Sequence, residues 1–275
     1  ALPLADAGAM SFGGAWYAGF VYMLQVYFDF SGYSDMAIGI GRILGFTYKE
    51  NFDYPFIAKD VSEYWHRWHI SLSMWFRDYL LYPILRSRGM RRLSMKKSER
   101  HGRMYYRNLA TMIATTCVWA FTGLWHGASW NFIVWGLYFC VLQLLEKFAL
   151  GKVREKLPAI ACWAINLILI VVSFVIFYYT DMGLVTRHIS AMLGVGSAGF
   201  IDARSRLVIR TYSFFPLLAF VCSMPIAPML NRLGRGLLGS KAFEIVKSVA
   251  LSACVALAVL FLVGQSYNPF IYFQF

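Results

Sequence analysis

Two histidines in aromatic surroundings are the residues of this sequence best suited to do chemistry. His126 lies in the middle of an apolar stretch, 118–135, that reads VWAFTGLWHGASWNFIVW, and His69 lies in an earlier stretch, 64–80, that reads YWHRWHISLSMWFRDYL. A histidine in a site of low polarity stays neutral, so it can act as a general base at physiological pH. The reaction that suits it is removal of a proton from a hydroxyl group as that hydroxyl attacks an activated acyl group.

Two glycines make His126 the stronger of the two candidates. Gly123 and Gly127 allow a helix to break and another backbone or a ligand to come close. An ionisable side chain at membrane depth is also costly, which is why it indicates a functional site. The alternative for either histidine is a structural role, in which the buried ring is bonded to a backbone carbonyl.

A metal site is a further alternative. His66 and His69 form an HxxH pair, and His126 could supply a third nitrogen to zinc or to haem iron. The spacing is a weak signal, and His66 falls away from the helix face that carries His69. We therefore predict no metal ligands in this sequence.

The composition is that of a membrane protein. Hydrophobic residues make up 59% of the 275 residues and charged residues only 15%, whereas soluble proteins have about 45–50% and about 25%. The net charge is +12, and nine of the 26 Lys and Arg lie within 86–107. Clustered cations mark the cytoplasmic side of a membrane protein. We therefore predict a basic cytoplasmic loop at 86–107 and no nucleic-acid partner.

The elements that must position the histidines are helices, because the apolar runs predict an all-α protein with about six membrane helices. Short re-entrant or interfacial helices accompany them, among them an amphipathic helix that begins after Asp60, with Glu63 completing a capping box. Three basic loops, at 86–107, 146–156 and 231–247, then fall on one side of the membrane. The six runs lie near 12–28, 108–124, 129–145, 158–179, 208–230 and 248–263, and the apolar face of the amphipathic helix contains Trp65, Trp68, His69, Leu72, Phe76, Tyr79 and Leu80.

Four blocks carry a family resemblance. They read YFDFSGYSDMAIGIGRILGF at 27–46, ENFDYPF at 50–56, YWHRWHISLSMWFRDYL at 64–80 and GLWHGASWNFIVWGLY at 123–138, and SYNPFIYFQF at 266–275 closes the chain. In these blocks the sequence resembles the membrane-bound O-acyltransferase (MBOAT) family, and within it the bacterial alginate O-acetyltransferase branch. Related D-alanyl transferases read DFAGYS where this chain reads DFSGYSD, a difference that favours acetyl transfer.

The resemblance implies a fold, a reaction and two catalytic residues. The fold is a helical bundle with a tunnel or funnel, in which His126 is the catalytic histidine and His69 supports or positions it. A cytoplasmic acyl thioester, acetyl-CoA first among them, would be the donor, with no bound cofactor. The acceptor would be a hydroxyl on an extracytoplasmic acetyltransferase or carrier protein, or on a cell-surface polysaccharide. The implied location is the inner or plasma membrane of a bacterium, crossed several times.

Six further residues are candidate substrate contacts by residue type and by their place in these blocks. Asp35 is as good a candidate for a functional acid as for a solvated side chain on a packed helix. Indole N–H groups and a side-chain amide can form hydrogen bonds with a substrate in an otherwise apolar site. The six residues are Trp125, Trp68, Asn131, Asp35, Arg77 and Asp78.

We expect one membrane-embedded region over 1–275, with the catalytic core blocks at 27–138. The family's longer chains have membrane helices before the DFSGYSD block, so we expect this fold to lack them or to be completed by an unseen part. Two other functions stay open. One is transfer of D-alanyl or another acyl group to a cell-envelope polymer. The other is a transporter or export component with a histidine proton path, against which no inverted repeat is evident.

Overall fold

The computed structural model describes residues 10–96 and 102–263, which form helices and no β-strand. A 3₁₀ turn at Pro55–Ile57 and π-helical turns at Arg77–Leu81 and Glu146–Leu150 join or extend the α-helices. The helices are α1 Phe12–Ile43, α2 Val61–Arg67, α3 Ile70–Phe76, α4 Tyr82–Arg86, α5 Arg88–Met95, α6 Arg103–His126, α7 Trp130–Leu145, α8 Gly151–Arg154, α9 Ala159–Tyr178, α10 Met182–Met192, α11 Ala203–Tyr212, α12 Phe214–Cys222, α13 Ile226–Leu238 and α14 Ser240–Leu262. The predicted all-α fold is confirmed.

The chain divides into two compact units, Ala1–Ser213 and Phe214–Phe275. The first unit contains α1 to α11, both candidate histidines and all of the blocks at 27–138. The second contains α12, α13 and α14, and none of these three helices buries a residue in the described part of the chain.

Long helices that cross at small residues build the core of the first unit. α1 packs against α9 and α10, and α7 packs against α6 and α9. A Cβ added at Gly19 would lie 2.9 Å from a methyl carbon of Val175 on α9. Small residues allow such close approach of helices in an apolar environment.

α6 and α7 form the hairpin that the glycines around His126 predict. A Cβ at Gly123 would lie 2.5 Å from the carbonyl oxygen of Phe132, and at Gly136 it would collide with the carbonyl oxygen of Trp119. Each helix therefore has a glycine where the other helix's backbone touches it. The α6 end is set by Gly127, whose φ of 151° lies where residues other than glycine are strained.

Three described helices are long and apolar enough to cross a membrane, namely Trp130–Arg154, Ala159–Tyr178 and Ser240–Leu262, where the first continues α7 through α8. The consecutive helices α11 and α12 count as a fourth if they form one broken span. α1 and α6 have the length but a lower hydropathy, because they contain charged, glycine and aromatic residues among the apolar ones. The chain is a helical membrane protein.

The predicted amphipathic helix begins as expected but does not continue as one helix. The Asp60 carboxylate accepts a hydrogen bond from the N–H of Glu63 at 2.6 Å, which caps α2. The helix then stops at Trp68, and His69 takes a left-handed conformation before α3 begins. The predicted apolar face is consequently divided between α2, α3 and the π turn.

The predicted basic loop at 86–107 is helical over Arg88–Met95 and again from Arg103, where α6 begins. The Ser87 hydroxyl accepts a hydrogen bond from the N–H of Met90. Residues 97–101 lie outside the described residues. The second basic segment, 146–156, is also largely helical. Its Glu146 carboxylate accepts hydrogen bonds from the N–H groups of Val61 and Ser62, which fixes the start of α2.

Candidate active site

His69 occupies the break between α2 and α3. Its φ of 45° and ψ of 53° are left-handed, a conformation that costs a non-glycine residue about 1–2 kcal/mol. Such strain persists only where the surrounding structure enforces it, and it gathers at functional sites. The ring Nδ1 lies 3.1 Å from Oδ1 of Asn51. The other nitrogen, Nε2, is buried and has no hydrogen-bond partner in the described part of the chain.

His126 is the last residue of α6, so the break at Gly127 places its ring at the end of the α6–α7 hairpin. Four aromatic rings surround the imidazole, and that of Phe132 is the most distant of them at 6.1 Å. The ring centroids of Trp135 and Phe177 lie 4.9 Å and 5.1 Å away, both edge-on, and that of Trp125 lies 4.9 Å away. The ring is half-buried.

Trp125 brings the two histidines into one site. Its ring centroid lies 6.1 Å from that of His69 and 4.9 Å from that of His126. Burial first, and then the nearby His126 imidazole, lower the pKa of His69 to about 3. His69, which lies outside the candidate spans, is therefore neutral at physiological pH, and the ring nitrogen that carries no hydrogen can accept a hydrogen bond. Residues 57 positions apart in the sequence thus form a pair.

A cluster of aromatic rings surrounds Trp68, the residue that precedes His69, on the buried side of the site. Trp68 is buried among the rings of Tyr27, Phe52, Tyr64 and Phe174 at centroid distances from 4.9 to 6.2 Å. A wall of rings keeps water away from reactive groups, which matters for any intermediate or substrate that hydrolyses. The predicted hydrogen bond from the Trp68 indole N–H to a substrate stays a prediction.

A cavity of about 390 Å³ lies against the same segment. Ile70, which follows His69, lines it. So does Trp65, whose ring lies 5.8 Å from that of Trp135, the residue in contact with His126. The indole N–H of Trp65 is buried with no partner among the described residues. The polar side chains around the cavity include those of Ser62, His66, Ser73, Arg77, Thr115, Thr122 and Gln143.

Two other predicted contacts have different surroundings. Asn131 is fully buried, and its amide nitrogen donates to the carbonyl oxygen of Phe177 at 3.1 Å. Its amide oxygen is buried without a partner in the described residues. Because the Phe177 ring contacts His126, Asn131 holds part of the wall around that histidine. Trp125 is 52% exposed, so one side of it faces the open part of the site.

The three charged candidates are exposed. Asp35 lies on α1, next to Ser34, which accepts a hydrogen bond from Asn51. Arg77 and Asp78 form an ion pair with each other at 2.9 Å on the π turn that follows α3. Of these, Arg77 also lines the cavity. The roles of the three in substrate binding stay predictions.

Two residues with informative contacts escaped the sequence analysis, namely Asn51 at the site and His188 on α10. Asn51 contacts His69, and the signal for it was its place in the ENFDYPF block. His188 has the structural role that was the alternative for His69 and His126, because it is buried and its Nε2 lies 3.0 Å from the carbonyl oxygen of Ala15. No sequence motif distinguishes it.

Similar proteins identify the family. No protein-family model matches the chain. The chain is 33% identical to the probable alginate O-acetylase AlgI of Azotobacter vinelandii, over 96% of this chain and 55% of that protein. It is 28% identical to the peptidoglycan O-acetyltransferase of Helicobacter pylori, over 98% and 51%. It is 34% identical to the teichoic acid D-alanyltransferase of Bacillus subtilis, over 61% and 40%.

The chain belongs to the membrane-bound O-acyltransferase family. It spans about half the length of the curated relatives that it matches along its whole length. The members that it resembles carry acyltransferase names, and the predicted family resemblance is confirmed.

Proposed function

We propose that this chain is the histidine-bearing part of a membrane O-acyltransferase that moves an acyl group, acetyl in the first instance, from a thioester to a hydroxyl. The observation that supports this most strongly is that the rings of His69 and His126 both contact the ring of Trp125, among other aromatic side chains. The names of the relatives supply the acyl group and the class of acceptor.

The reaction needs one neutral imidazole and a dry site. The acceptor's hydroxyl oxygen attacks the thioester carbonyl carbon while an imidazole nitrogen takes the hydroxyl proton. The tetrahedral intermediate then collapses, the C–S bond breaks, and the leaving thiolate receives that proton from the imidazolium. The products are an ester and a thiol, and the imidazole returns to its neutral state. The family resemblance assigns the catalytic part to His126, with His69 in support.

The cavity beside Ile70 and Trp65 is the proposed place for the donor's thioester arm. Its volume of about 390 Å³ is within the range of small-molecule sites. An arm with amide carbonyls, as in acetyl-CoA, would give the unpaired Trp65 N–H an acceptor. Arg77, which also lines the cavity, is proposed to exchange its ion pair with Asp78 for the donor's phosphates. No cofactor other than this donor substrate is proposed.

The acceptor is proposed to reach the histidines from the other side of the membrane. It is a hydroxyl on a cell-surface polysaccharide, or on an extracytoplasmic acetyltransferase or carrier protein that hands the group on. The proposed location is the inner membrane of a bacterium, with the basic segments on the cytoplasmic side. D-alanyl transfer is the alternative that the teichoic acid relative favours.

Mass spectrometry of surface polymers tests this proposal. Cells that make the complete protein are compared with cells that carry His126→Ala and with cells that carry Arg187→Ala, an exposed position on α10. We expect ester-linked acetyl groups in the wild type and in Arg187→Ala, and none in His126→Ala at equal protein abundance. Detection of D-alanyl esters in place of acetyl esters would show that the donor carries a D-alanyl group. Unchanged esters in His126→Ala would overturn the proposed function.

A further inference from the structure

A second cavity, of about 240 Å³, lies between two helices that can span a membrane. One is the continuous helix Trp130–Arg154 and the other is Ala159–Tyr178, which is α9. The side chains that line the cavity recur at helical spacing on both helices, so each helix presents one face to it. The apolar lining residues on these two faces are Leu142, Leu150, Val153, Cys162, Ile165 and Leu169.

The cavity is a groove that runs along the helices from their ends. Lys59 and Arg154 line it where the first helix ends and α9 begins. Its lining reaches Leu169, whose carbonyl oxygen accepts a hydrogen bond from the Tyr138 hydroxyl at 2.9 Å and so joins the two helices. From Cys162 to Leu169 the groove follows α9 for about 10 Å at 1.5 Å per residue. An apolar groove therefore leads from a basic rim into the membrane-spanning part of the protein.

The groove opens on a surface that faces lipid. Leu150, Val153 and Ile165 line it and are also exposed on the two helices. Exposed aliphatic side chains on a membrane helix contact lipid tails, which are as apolar as leucine. The molecule that fits such a groove in a membrane is consequently an acyl chain, with its headgroup at the rim.

The charges at the rim select an anionic headgroup. The segments 59–60 and 146–156 contain five Lys and Arg against three Asp and Glu. Lys59 is exposed, and its ammonium group forms no ion pair within residues 10–96 and 102–263. Arg154 pairs with Asp60 through Nη1, so its Nε and Nη2 still have hydrogens for a phosphate oxygen. Basic pockets between membrane helices on the cytoplasmic side bind anionic lipid headgroups.

The rim also belongs to the segment in which α2 begins. The Asn166 amide nitrogen on α9 donates to the carbonyl oxygen of Ala58 at 2.8 Å. The carboxylate of Asp60, which caps α2, lies 3.1 Å from Arg154. Lys59 is thus fixed beside the groove by contacts of both its neighbours in the chain. A headgroup bound to Lys59 and Arg154 would join the start of α2 more firmly to the two membrane helices.

We propose that this groove binds one acyl chain of an anionic phospholipid, with the lipid phosphate against Lys59 and Arg154. The bound lipid stabilises the fold at the point where α2 is attached to the membrane helices. The site is separate from the two histidines, and the proposal does not rest on the proposed function.

The experiment uses the complete protein, purified in detergent and supplied with phosphatidylglycerol or with phosphatidylcholine of the same acyl chains. Native mass spectrometry measures retained lipid, and thermal unfolding measures stability. We expect one tightly held phosphatidylglycerol, and a melting temperature about 2–5 °C higher with it than with phosphatidylcholine. Equal retention and equal melting temperatures with the two lipids would overturn the inference.

Ile165→Trp and Ile168→Trp form a matched pair. Both residues lie on α9 and are 48% and 49% exposed, but of the two only Ile165 lines the groove. A tryptophan at 165 fills the groove, so we expect retention and the rise in melting temperature to be lost there and kept in Ile168→Trp. The same lipid effect in both variants contradicts the proposal. So does a wild-type dimer that Ile165→Trp dissociates, because the groove would then be a contact between two copies.

A lysine pair decides the question even where a bulky ring prevents folding. Lys59→Gln removes the rim cation and should weaken phosphatidylglycerol binding about fivefold. Lys156→Gln removes the same charge from an exposed residue that does not line the groove, and should change binding little. Equal weakening by the two variants would mean a general surface charge effect and overturn the site. These measurements involve no acyl transfer, so their failure leaves the proposed function intact.

Discussion

Replacing Gly123 by alanine tests how the α6–α7 hairpin sets the position of His126. The added Cβ would lie 2.5 Å from the Phe132 carbonyl oxygen and 3.1 Å from Cα of Ile133. Both are backbone atoms, so the two helices must move apart rather than a side chain move aside. Overpacking of this kind costs about 1–3 kcal/mol, and the better helix propensity of alanine returns about 1 kcal/mol at most.

We expect Gly123→Ala to lower the free energy of unfolding by about 1–2 kcal/mol, which is roughly 2–8 °C in melting temperature. Acyl transfer should fall further than stability does, because His126 lies one helical turn beyond the contact. Gly39→Ala is the control, since an added Cβ there meets nothing within 4 Å. Thermal unfolding in detergent and transfer assays on the same samples give both quantities. A Gly123→Ala protein as stable and active as Gly39→Ala would refute the reasoning.

Three other predictions concern separate parts of the chain. Trp65→Phe removes the buried, unpaired indole N–H of a residue that lines the cavity and should raise the donor KM about tenfold with little change in melting temperature. Glu146→Ala removes the carboxylate that accepts from the first N–H groups of α2 and should cost about 1–3 kcal/mol, measured by thermal unfolding. Burial raises the pKa of Asp202, but hydrogen bonds from Ser11 and Ser205 outweigh it, so the net pKa is lowered. The ionised Asp202 carboxylate therefore stabilises the fold at pH values above the ordinary aspartate pKa of about 4. This stabilisation is lost as the pH falls towards the lower pKa that Asp202 has in the folded state. Asp202→Asn should flatten the dependence of the melting temperature on pH in this range. An unchanged dependence would contradict a stabilising role for the hydrogen bonds from Ser11 and Ser205 to Asp202.

The helices that depend on local pattern were predictable from the sequence. The apolar runs gave α7, α9 and α14, and the capping residue Asp60 marked the start of α2. The glycines around His126 predicted both the end of α6 and the close crossing with α7. In each case the signal lies in the segment that adopts the structure, so neighbouring residues suffice to find it.

The break at His69 was not predictable in this way. The spacing of apolar residues from Trp65 to Leu80 fits one continuous helix face. The α2 helix instead ends at Trp68, because Asn51 accepts hydrogen bonds from the residues that follow the turn. That residue is 18 positions away from His69, and no local pattern records a tertiary contact. The surroundings of Trp68 and Asn131 depend on tertiary packing in the same way, and the family blocks could flag these residues but not their contacts.

The central claim is that His69 and His126 form one acyl-transfer site, and acetyl transfer by the reconstituted complete protein tests it most directly. The measurement follows labelled acetyl groups from acetyl-CoA to alginate oligosaccharides, with and without extracytoplasmic partner protein, for the wild type, His69→Ala, His126→Ala and Arg187→Ala. We predict transfer by the wild type and Arg187→Ala and its loss, by about 100-fold or more, in each histidine variant at equal folded protein. Transfer that persists in both histidine variants would contradict the account.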